Sequence, residues 1–184
     1  MESGPQLHTK RLLLRRWQDS DRAPFADLNA DPDVMRYFPA TRTRTRAESD
    51  TQIDRIEQHF TTHGFGFWAM EERDTGIFLG FTGLARVSAT APFAPAVEVG
   101  WRLARPAWGH GYATEAAHAA VEFGFGELGL QEIVSLTAAG NERSRAVMRR
   151  LGMTRDPADD FTIPEVGADH WLQPGVLYRL ARPE

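Results

Sequence analysis

The amino-acid sequence predicts an α/β protein with helices on both faces of one mixed β-sheet. Two observations favour this class. Strand patterns cluster in the middle of the chain instead of alternating with helices, which argues against a doubly wound parallel sheet. A glycine-rich turn then joins an apolar strand to an alanine-rich helix. Without repeats or an internal linker, the chain is expected to form a single domain over residues 1–184.

The first third of the chain predicts one strand and two helices. Residues 10–16 contain three consecutive leucines and have the extended character of a strand. Asp19–Ser20–Asp21 supplies oxygens that cap a helix N-terminus, and this helix should end near Asp31–Pro32 because proline disfavours helix at the residue before it. Residues 48–60 carry apolar side chains three and four positions apart, the spacing of one helix face.

Three strands are predicted next. Residues 65–70 and 77–87 are separated by Asp74–Thr75–Gly76, a typical turn sequence. Residues 96–104 alternate between an apolar set of side chains and a set that includes a carboxylate. The apolar set is Val97, Val99, Trp101 and Leu103, and the other set is Glu98, Gly100 and Arg102. An acid in the middle of such a strand needs a structural or a functional reason.

The segment Trp108–Ala116 is the glycine-rich turn, and it places backbone N–H groups at the start of a helix. No lysine or arginine lies between Trp108 and Ala120, so a phosphate held here would be bound by amides and the helix dipole. A P-loop would need a lysine that the turn lacks, and a Rossmann fingerprint would need glycine where Thr114 stands. A tight strand–helix turn without any ligand is the simple alternative.

The last third of the chain predicts two helices and three strands. The helix after the turn carries small side chains on one face over residues 113–128, so it can lie close to a sheet. A strand over 131–137 and a helix over 142–151 follow. A further strand is expected to begin within 153–161, and a final strand rich in valine, leucine and tyrosine covers 175–181.

Composition excludes several functional classes. The net charge of -4, from 21 basic and 25 acidic residues, does not favour a nucleic-acid partner. The absence of cysteine excludes disulfides, thiolate metal sites and cysteine nucleophiles. His59 and His63 are four positions apart, but without a third ligand we expect no metal. With no apolar segment of membrane length and no signal-like start, we expect a cytoplasmic protein without a membrane partner, either monomer or homodimer.

Four blocks in order carry a family resemblance. Residues 97–103 followed by Trp108–Ala116 resemble the acetyl-CoA motif of the GNAT acetyltransferase superfamily. Asn141–Ser144, with 147–153 after it, is similar to the Asn-x-x-Ser helix of the branch that contains ribosomal-protein-alanine N-acetyltransferases. Residues 31–38, and Gly66–Ala69 ahead of Gly80–Leu84, also fit that branch, so the resemblance covers nearly the whole chain.

The resemblance implies the GNAT fold, in which two central parallel strands splay apart. Here these would be Glu98–Leu103 and Glu132–Thr137. The pantetheine arm of acetyl-CoA would pair with one of them like an added strand, and its pyrophosphate would rest on the amides of the turn. The implied cosubstrate-binding residues are Trp101, Arg102, Leu103, Trp108, Gly109, His110, Gly111, Tyr112, Ala113, Thr114, Asn141 and Ser144. As a helix N-cap, Asn141 has a purely structural alternative.

Catalysis by this family needs a group that takes a proton from the attacking amine. Glu98 is the candidate base, and its structural alternative is a cross-strand ion pair with Arg86 or Arg102. Ser144 is the candidate proton donor to the departing thiolate, or else a small residue at a helix–sheet contact. Many superfamily members place a tyrosine acid where this sequence has Met148, which cannot donate a proton. A backbone N–H near Val99–Trp101 would donate a hydrogen bond to the thioester carbonyl oxygen.

The function implied is transfer of the acetyl group from acetyl-CoA to a primary amine, by direct attack in a ternary complex. The amine could belong to a protein N-terminus or to a small molecule, and Phe38 and Trp68 are candidates to line its pocket. With no cysteine, a covalent enzyme intermediate is disfavoured. The alternative from another class is a CoA-binding sensor without turnover, which the methionine at position 148 keeps open.

Overall fold

The computed structural model describes residues 5–38, 43–163, 166–167 and 169–183. Its elements are β1 (Leu7–His8), β2 (Leu12–Arg15), α1 (Arg22–Ala30), α2 (Pro32–Met35), α3 (Arg46–His63), β3 (Phe67–Glu72), β4 (Phe78–Arg86), β5 (Val97–Leu103), α4 (Tyr112–Gly126), β6 (Glu132–Ala138), α5 (Glu142–Arg150), β7 (Phe161–Thr162) and β8 (Pro174–Ala181). Short 3₁₀ turns cover Asp19–Asp21, Arg105–Ala107 and Pro157–Asp159.

The strands form one mixed sheet in the order β1-β2-β3-β4-β5-β6-β8-β7. Every neighbouring pair is antiparallel except β5 and β6, which are parallel and lie at the centre. The parallel pair is joined by a crossover through α4, as such connections require. The predicted α/β class with a mixed sheet is confirmed.

Helices cover both faces of the sheet, as the sequence predicts. On one face, Phe25 of α1 packs edge-on against Phe81 of β4, with ring centroids 6.0 Å apart. On the other face, α4 lies so close that a Cβ on Gly124 would come within 2.9 Å of Leu84 and 2.8 Å of Ile133. The small residues on this face of α4 therefore allow the helix to pack close to the sheet, as predicted, since larger side chains would hold it further away.

Local signals explain where the longer helices begin and end. Thr45 and Glu48 form a capping box at the start of α3, with the Glu48 N–H donating to Thr45 Oγ1 at 3.2 Å. Gly64 ends α3 in the left-handed region at φ 77°. Asp31 caps α2 by accepting from the N–H of Asp33 at 2.8 Å. Pro32, predicted to end a helix, thus begins a new one, because proline suits the first helical turn.

Two predicted strands differ from the structure. The first, predicted over residues 10–16, is present only as β2, and the sequence did not predict the short strand β1 that precedes it and forms a hairpin with it. The strand expected within 153–161 is wrong for most of that range. Thr154 makes only an isolated bridge to Arg179, and a 3₁₀ turn capped by Asp156 follows it. Pro157, which has no N–H to donate, begins this turn and interrupts the ladder.

In the described part of the chain, no helix is both long enough and apolar enough to cross a bilayer.

Candidate active site

The two central parallel strands separate towards their carboxyl ends. β5 and β6 are aligned at one residue pair, Glu98 with Val134. Beyond that pair each strand keeps an antiparallel partner only on its outer side, β4 for β5 and β8 for β6. A cleft of about 1510 Å³ opens here, and its walls include the glycine turn, α5 and the aromatic rings of Phe38, Phe67 and Phe81. The splayed strands implied by the resemblance are therefore present.

The backbone of β5 offers unpaired groups to this cleft. Along an antiparallel pair of strands, only every second residue is hydrogen-bonded to the neighbouring strand. At the two ends of the β4–β5 pair, the Val87 N–H donates to the Ala96 carbonyl oxygen and the Ala104 N–H donates to the Leu79 carbonyl oxygen. Even-numbered residues of β5 therefore bond to β4. The N–H and C=O groups of Trp101 point the other way, towards the gap left by β6. An extended ligand can pair with this edge as an added strand does.

The glycine turn has the geometry of an anion cradle. Gly109 and Gly111 have φ of 83° and 80°, a region that other residues rarely adopt. The first helical bond of α4 runs from Glu115 N–H to Gly111 O at 3.1 Å, so the amides of residues 112–114 have no partner within the helix. A Cβ on Gly109 would meet nothing within 4 Å, which leaves space for a phosphate. These features fit the pyrophosphate of CoA.

Arg11, which is distant in sequence, stabilises the turn through hydrogen bonds. The Arg11 Nη1 donates to the carbonyl oxygen of His110 at 3.0 Å, and its Nε donates to Glu115 at 2.7 Å. The guanidinium also lies 4.6 Å from the centre of the Tyr112 ring. Nothing in the sequence indicates that Arg11 belongs to the site, because it precedes its partners by about a hundred residues and lies in no local motif.

Trp108 and two arginines stand at the mouth of the cleft. The Trp108 Nε1–H donates to the carbonyl oxygen of Leu103 at 2.9 Å, which ties the turn back to β5. Arg105 and Arg143 lie 4.6 and 4.5 Å from the centre of its indole ring. The turn itself holds no cation, as the sequence shows, yet two guanidinium groups from neighbouring elements stand beside it. Both can attract the phosphates of a nucleotide-bearing ligand.

Asn141 and Ser144 line the cleft at the start of α5. The Asn141 Oδ1 accepts from the Ser144 N–H at 3.3 Å, so its capping role is present. Its amide nitrogen donates to Thr137 Oγ1 at 3.0 Å, which joins α5 to the end of β6. Ser144 is half-buried. Met148, one turn further along α5, is fully buried in the core and cannot reach a ligand or donate a proton to one.

Glu98 lies where β5 and β6 part, and it faces the cleft. In the described part of the chain it forms no ion pair, so the cross-strand pair with Arg86 or Arg102 is not formed. Burial raises the pKa of the Glu98 carboxyl to about 7, because the protein interior disfavours the charged form. A carboxyl with a pKa near neutrality can hold and release a proton under physiological conditions.

The two aromatic residues expected in the acceptor pocket are placed differently. Phe38 lines the cleft, and its ring lies 3.8 Å from the Arg102 guanidinium carbon. Trp68 does not reach the cleft, since its side chain is 0% exposed and packs edge-on against Phe60 and Phe123. Strand parity is the reason: Trp68 shares the α4 side of the sheet, and the adjacent Phe67 faces the cleft instead.

All but one of the residues predicted to bind the cosubstrate line the cleft. Of the implied cosubstrate-binding set, the cleft wall contains Trp101, Arg102, Leu103, Trp108, Gly109, Gly111, Tyr112, Ala113, Thr114, Asn141 and Ser144. His110 is the exception, because its side chain is exposed and stacks on Tyr112 outside the cleft wall. Its contribution to the turn is the carbonyl group that Arg11 binds.

Of the two histidines of α3, His59 is hydrogen-bonded within the protein, and His63 is exposed with its ring against that of His59. The His59 Nδ1 lies 2.7 Å from the carbonyl oxygen of Phe65, and its Nε2 accepts from the Arg86 N–H at 3.3 Å. Burial lowers the pKa of His59, which favours the neutral ring. Among the residues with described positions, no group of three or more His, Asp or Glu side chains is arranged to hold a metal ion.

Comparison with known proteins identifies the family. The profile of the Acetyltransferase (GNAT) domain matches residues 11–154, which span the splayed strands, the glycine turn and α5. The chain therefore belongs to the GNAT acetyltransferase family, and it is an acetyl-CoA-dependent acyltransferase. The resemblance drawn from the sequence is confirmed at this level.

Relatives agree with this assignment. The chain is 34% identical over 160 residues to the FsC-acetyl coenzyme A-N(2)-transacetylase of Aspergillus fumigatus, covering 84% of this chain and 67% of that protein. It is 32% identical over 154 residues to YkkB of Bacillus subtilis, covering 83% and 87%. In fold it resembles a GNAT acetyltransferase from Bacillus anthracis, with a TM-score of 0.80, 23% identity and coverage of 96% and 98%.

Proposed function

We propose that this acyltransferase moves the acetyl group of acetyl-CoA onto a primary amine, by direct attack while both substrates are bound. The observation that carries the proposal is Glu98, an acid without an ion-pair partner among the described residues, at the point where the cleft begins. An amine attacks only when its nitrogen is neutral, and most amines are protonated at neutral pH. A carboxylate at this point can accept the proton that the amine must lose.

The donor side of the cleft fits acetyl-CoA. The amides of residues 112–114 and the φ of Gly111 suit the pyrophosphate. Arg143, from α5, adds positive charge at the same mouth. The open edge of β5 suits the amide-bearing pantetheine arm. A similar fold, the spermidine N-acetyltransferase of Vibrio cholerae, was solved with CoA, at a TM-score of 0.72 and 16% identity over 93% of this chain.

After the ammonium proton has passed through Glu98 to water, the reaction needs two further proton transfers. As the amine nitrogen bonds to the acetyl carbon, the carbon–sulfur bond of the thioester breaks. Glu98 takes the proton that the nitrogen loses, directly or through one water. The sulfur of CoA must gain a proton, and Ser144 is the hydroxyl on α5 that lines the cleft. The N–H of Trp101 points into the gap between β5 and β6 and can donate a hydrogen bond to the thioester carbonyl oxygen.

Direct attack is preferred to a covalent enzyme intermediate. The sequence contains no cysteine. A serine nucleophile would need a base such as histidine within hydrogen-bond reach. Where the structure gives the hydrogen bonds of serine hydroxyls, they go to backbone or to other polar side chains. Ser135, at the apex of the cleft, donates to a backbone carbonyl rather than to a histidine.

The test is release of free CoA thiol from acetyl-CoA with a panel of primary amines and N-terminal peptides. Turnover with any of them, together with a mass gain of one acetyl group on the amine, supports the proposal. Tight binding of CoA without turnover across the panel would contradict it and favour a CoA sensor. Buried Met148, in place of a tyrosine acid, is the feature that makes this second outcome worth measuring.

A further inference from the structure

Arg102 is a buried cation in the cleft wall, and it lies against the ring of Phe38, which the sequence predicts to line the amine pocket. It follows Glu98 and Gly100 on one face of β5, the face that also bears α1 and Phe81. The residue is only 6% exposed, yet it belongs to the cleft wall. Its Nη1 donates to Asn29 Oδ1 at 2.7 Å, whereas its Nε is buried and has no partner in the described part of the chain. A buried guanidinium normally has its donors satisfied, so this arrangement is incomplete.

The charge of Arg102 is also uncompensated. Within the described ranges, no carboxylate pairs with its guanidinium. Burial, together with the nearby positive charge of Arg44, lowers its pKa to about 9. The ring of Phe38, 3.8 Å from the guanidinium carbon, offers a cation–π contact. Such a contact stabilises the cation only in part, because an aromatic ring carries no net charge.

Neighbouring polar atoms show the same deficit. Among the residues that the structure describes, the Nε of Arg44 is buried and has no hydrogen-bond partner. The Oε1 of Gln52, on α3, lines the same cleft and is buried without a partner among the described residues, but as an acceptor it needs a donor. The two unpaired guanidinium nitrogens are therefore the atoms that favour an anion. Buried polar atoms without partners cost free energy unless a ligand supplies the missing bonds. The Arg102 side of the cleft is therefore built to receive a polar group of negative charge.

We infer that the acceptor is an amino carboxylate, whose carboxylate pairs with Arg102 while its amine reaches Glu98. This inference rests on the proposed function, since it names the substrate class of the same cleft. Glu98 and Arg102 are four residues apart on one strand, so their Cα atoms are about 13 Å apart. Because both side chains leave the same face of β5, a linear ω-amino acid of five or six carbons with a hydrogen bond at each end suits that span. A polyamine would bring a second positive charge against Arg102 and is disfavoured.

The kinetic test compares acceptors that differ only in the carboxylate. The kcat/KM for δ-aminovalerate and ε-aminohexanoate should exceed that for the matched n-alkylamines by about tenfold or more, as a charge-assisted pair predicts. Arg102→Gln, which keeps a partner for Asn29 but loses the charge, should remove this preference through KM. Arg55→Gln, at an exposed position of α3, is the matched control and should retain it.

A binding test makes the inference independent of turnover. Calorimetry on the CoA-loaded protein should show valerate binding about tenfold more tightly than valeramide, and Arg102→Gln should bind them equally. Equal binding by the wild type would overturn the inference. So would a preference that survives in a folded Arg102→Gln protein. If that variant does not fold, the wild-type comparison and Arg102→Lys still decide the question.

The two proposals fail differently. Acetylation of alkylamines as fast as amino acids would overturn the carboxylate site and leave the proposed function standing. Selective binding of valerate, without acetylation of any amine, would overturn the proposed function and leave the carboxylate site standing.

Discussion

The Ser135 hydroxyl donates a 2.9 Å hydrogen bond to the carbonyl oxygen of Val99, across the point where β5 and β6 part. This carbonyl points away from β4, and it lies one residue beyond the aligned pair of the parallel strands. Ser135 is only 2% exposed, so water cannot easily replace the bond. The bond closes the apex of the cleft and sets how far it extends between the strands.

Ser135→Ala should therefore lower stability and loosen the cleft. Removing the donor leaves the buried Val99 carbonyl unpaired, which costs about 1–3 kcal/mol in the free energy of unfolding. The KM for acetyl-CoA should rise at the same time. Denaturant unfolding checks the first effect, with Ser20→Ala on the exposed surface as control. Equal stability of Ser135→Ala and the wild type would show that the bond does not hold the apex.

Replacement of Glu98 should stabilise the protein in a pH-dependent way. The pKa of Glu98 is raised from 4.5 to about 7 in the folded state, so folded protein holds this proton more tightly than unfolded chain. Stability therefore falls as pH rises through that interval. Relative to wild type, Glu98→Gln should gain about 3 kcal/mol above neutral pH and little at about pH 4.5. Urea unfolding at both pH values measures this, and a pH-independent difference would contradict the shifted pKa.

A side chain at Gly111 should abolish CoA binding. Gly111→Val must adopt a φ of 80°, which strains a β-branched residue, and it disturbs the amides at the start of α4. Gly129→Val is a matched control, because Gly129 has a φ of 65°, open space around it and no place in the cleft wall. Both variants should lose similar stability, and only Gly111→Val should lose CoA affinity in calorimetry. Equal CoA affinities of the two variants would show that the pyrophosphate does not bind at this turn.

Ser144→Ala separates the two roles open to that residue. As the proton donor to the thiolate, Ser144 should contribute about 10²-fold to kcat, within the range of acid–base catalysis. Its loss should leave the dissociation constant of CoA nearly unchanged, because the N-cap bond uses the backbone N–H of residue 144. Steady-state kinetics and calorimetry distinguish these effects. An unaltered kcat would assign the proton to water and leave Ser144 as a small residue at a tight contact.

The arrangement of the fold was largely predictable from sequence because its signals are local. The alternation along β5, the small face of α4 and the glycines of the turn each specify one element and its exposed side. The structure of residues 153–161 was not predictable from the sequence. The apolar residues of this range indicate a strand. Asp156 and Pro157 instead form a 3₁₀ turn, which residue propensities favour less than a strand in this segment.

The site was predictable where it depends on the backbone and less so where it depends on distant side chains. Glu98 was found because a lone acid in an apolar strand is unusual. Trp68 was placed in the cleft wrongly, since the adjacent Phe67 is equally aromatic and only strand pairing decides which one faces the cleft. Arg11 and Arg143 reach the turn from other elements, and nothing near them in sequence indicates this.

The central claim is that Glu98 accepts the proton of an attacking amine in an acetyl-CoA cleft. The most direct measurement is the ratio of wild-type to Glu98→Gln acetylation rates with one amine, followed by mass spectrometry of the product from about pH 6 to about pH 9. Using one amine cancels its own ionisation from the ratio. We predict a ratio that rises through an apparent pKa near 7 to about 10²-fold or more. A ratio near one at every pH would contradict the claim.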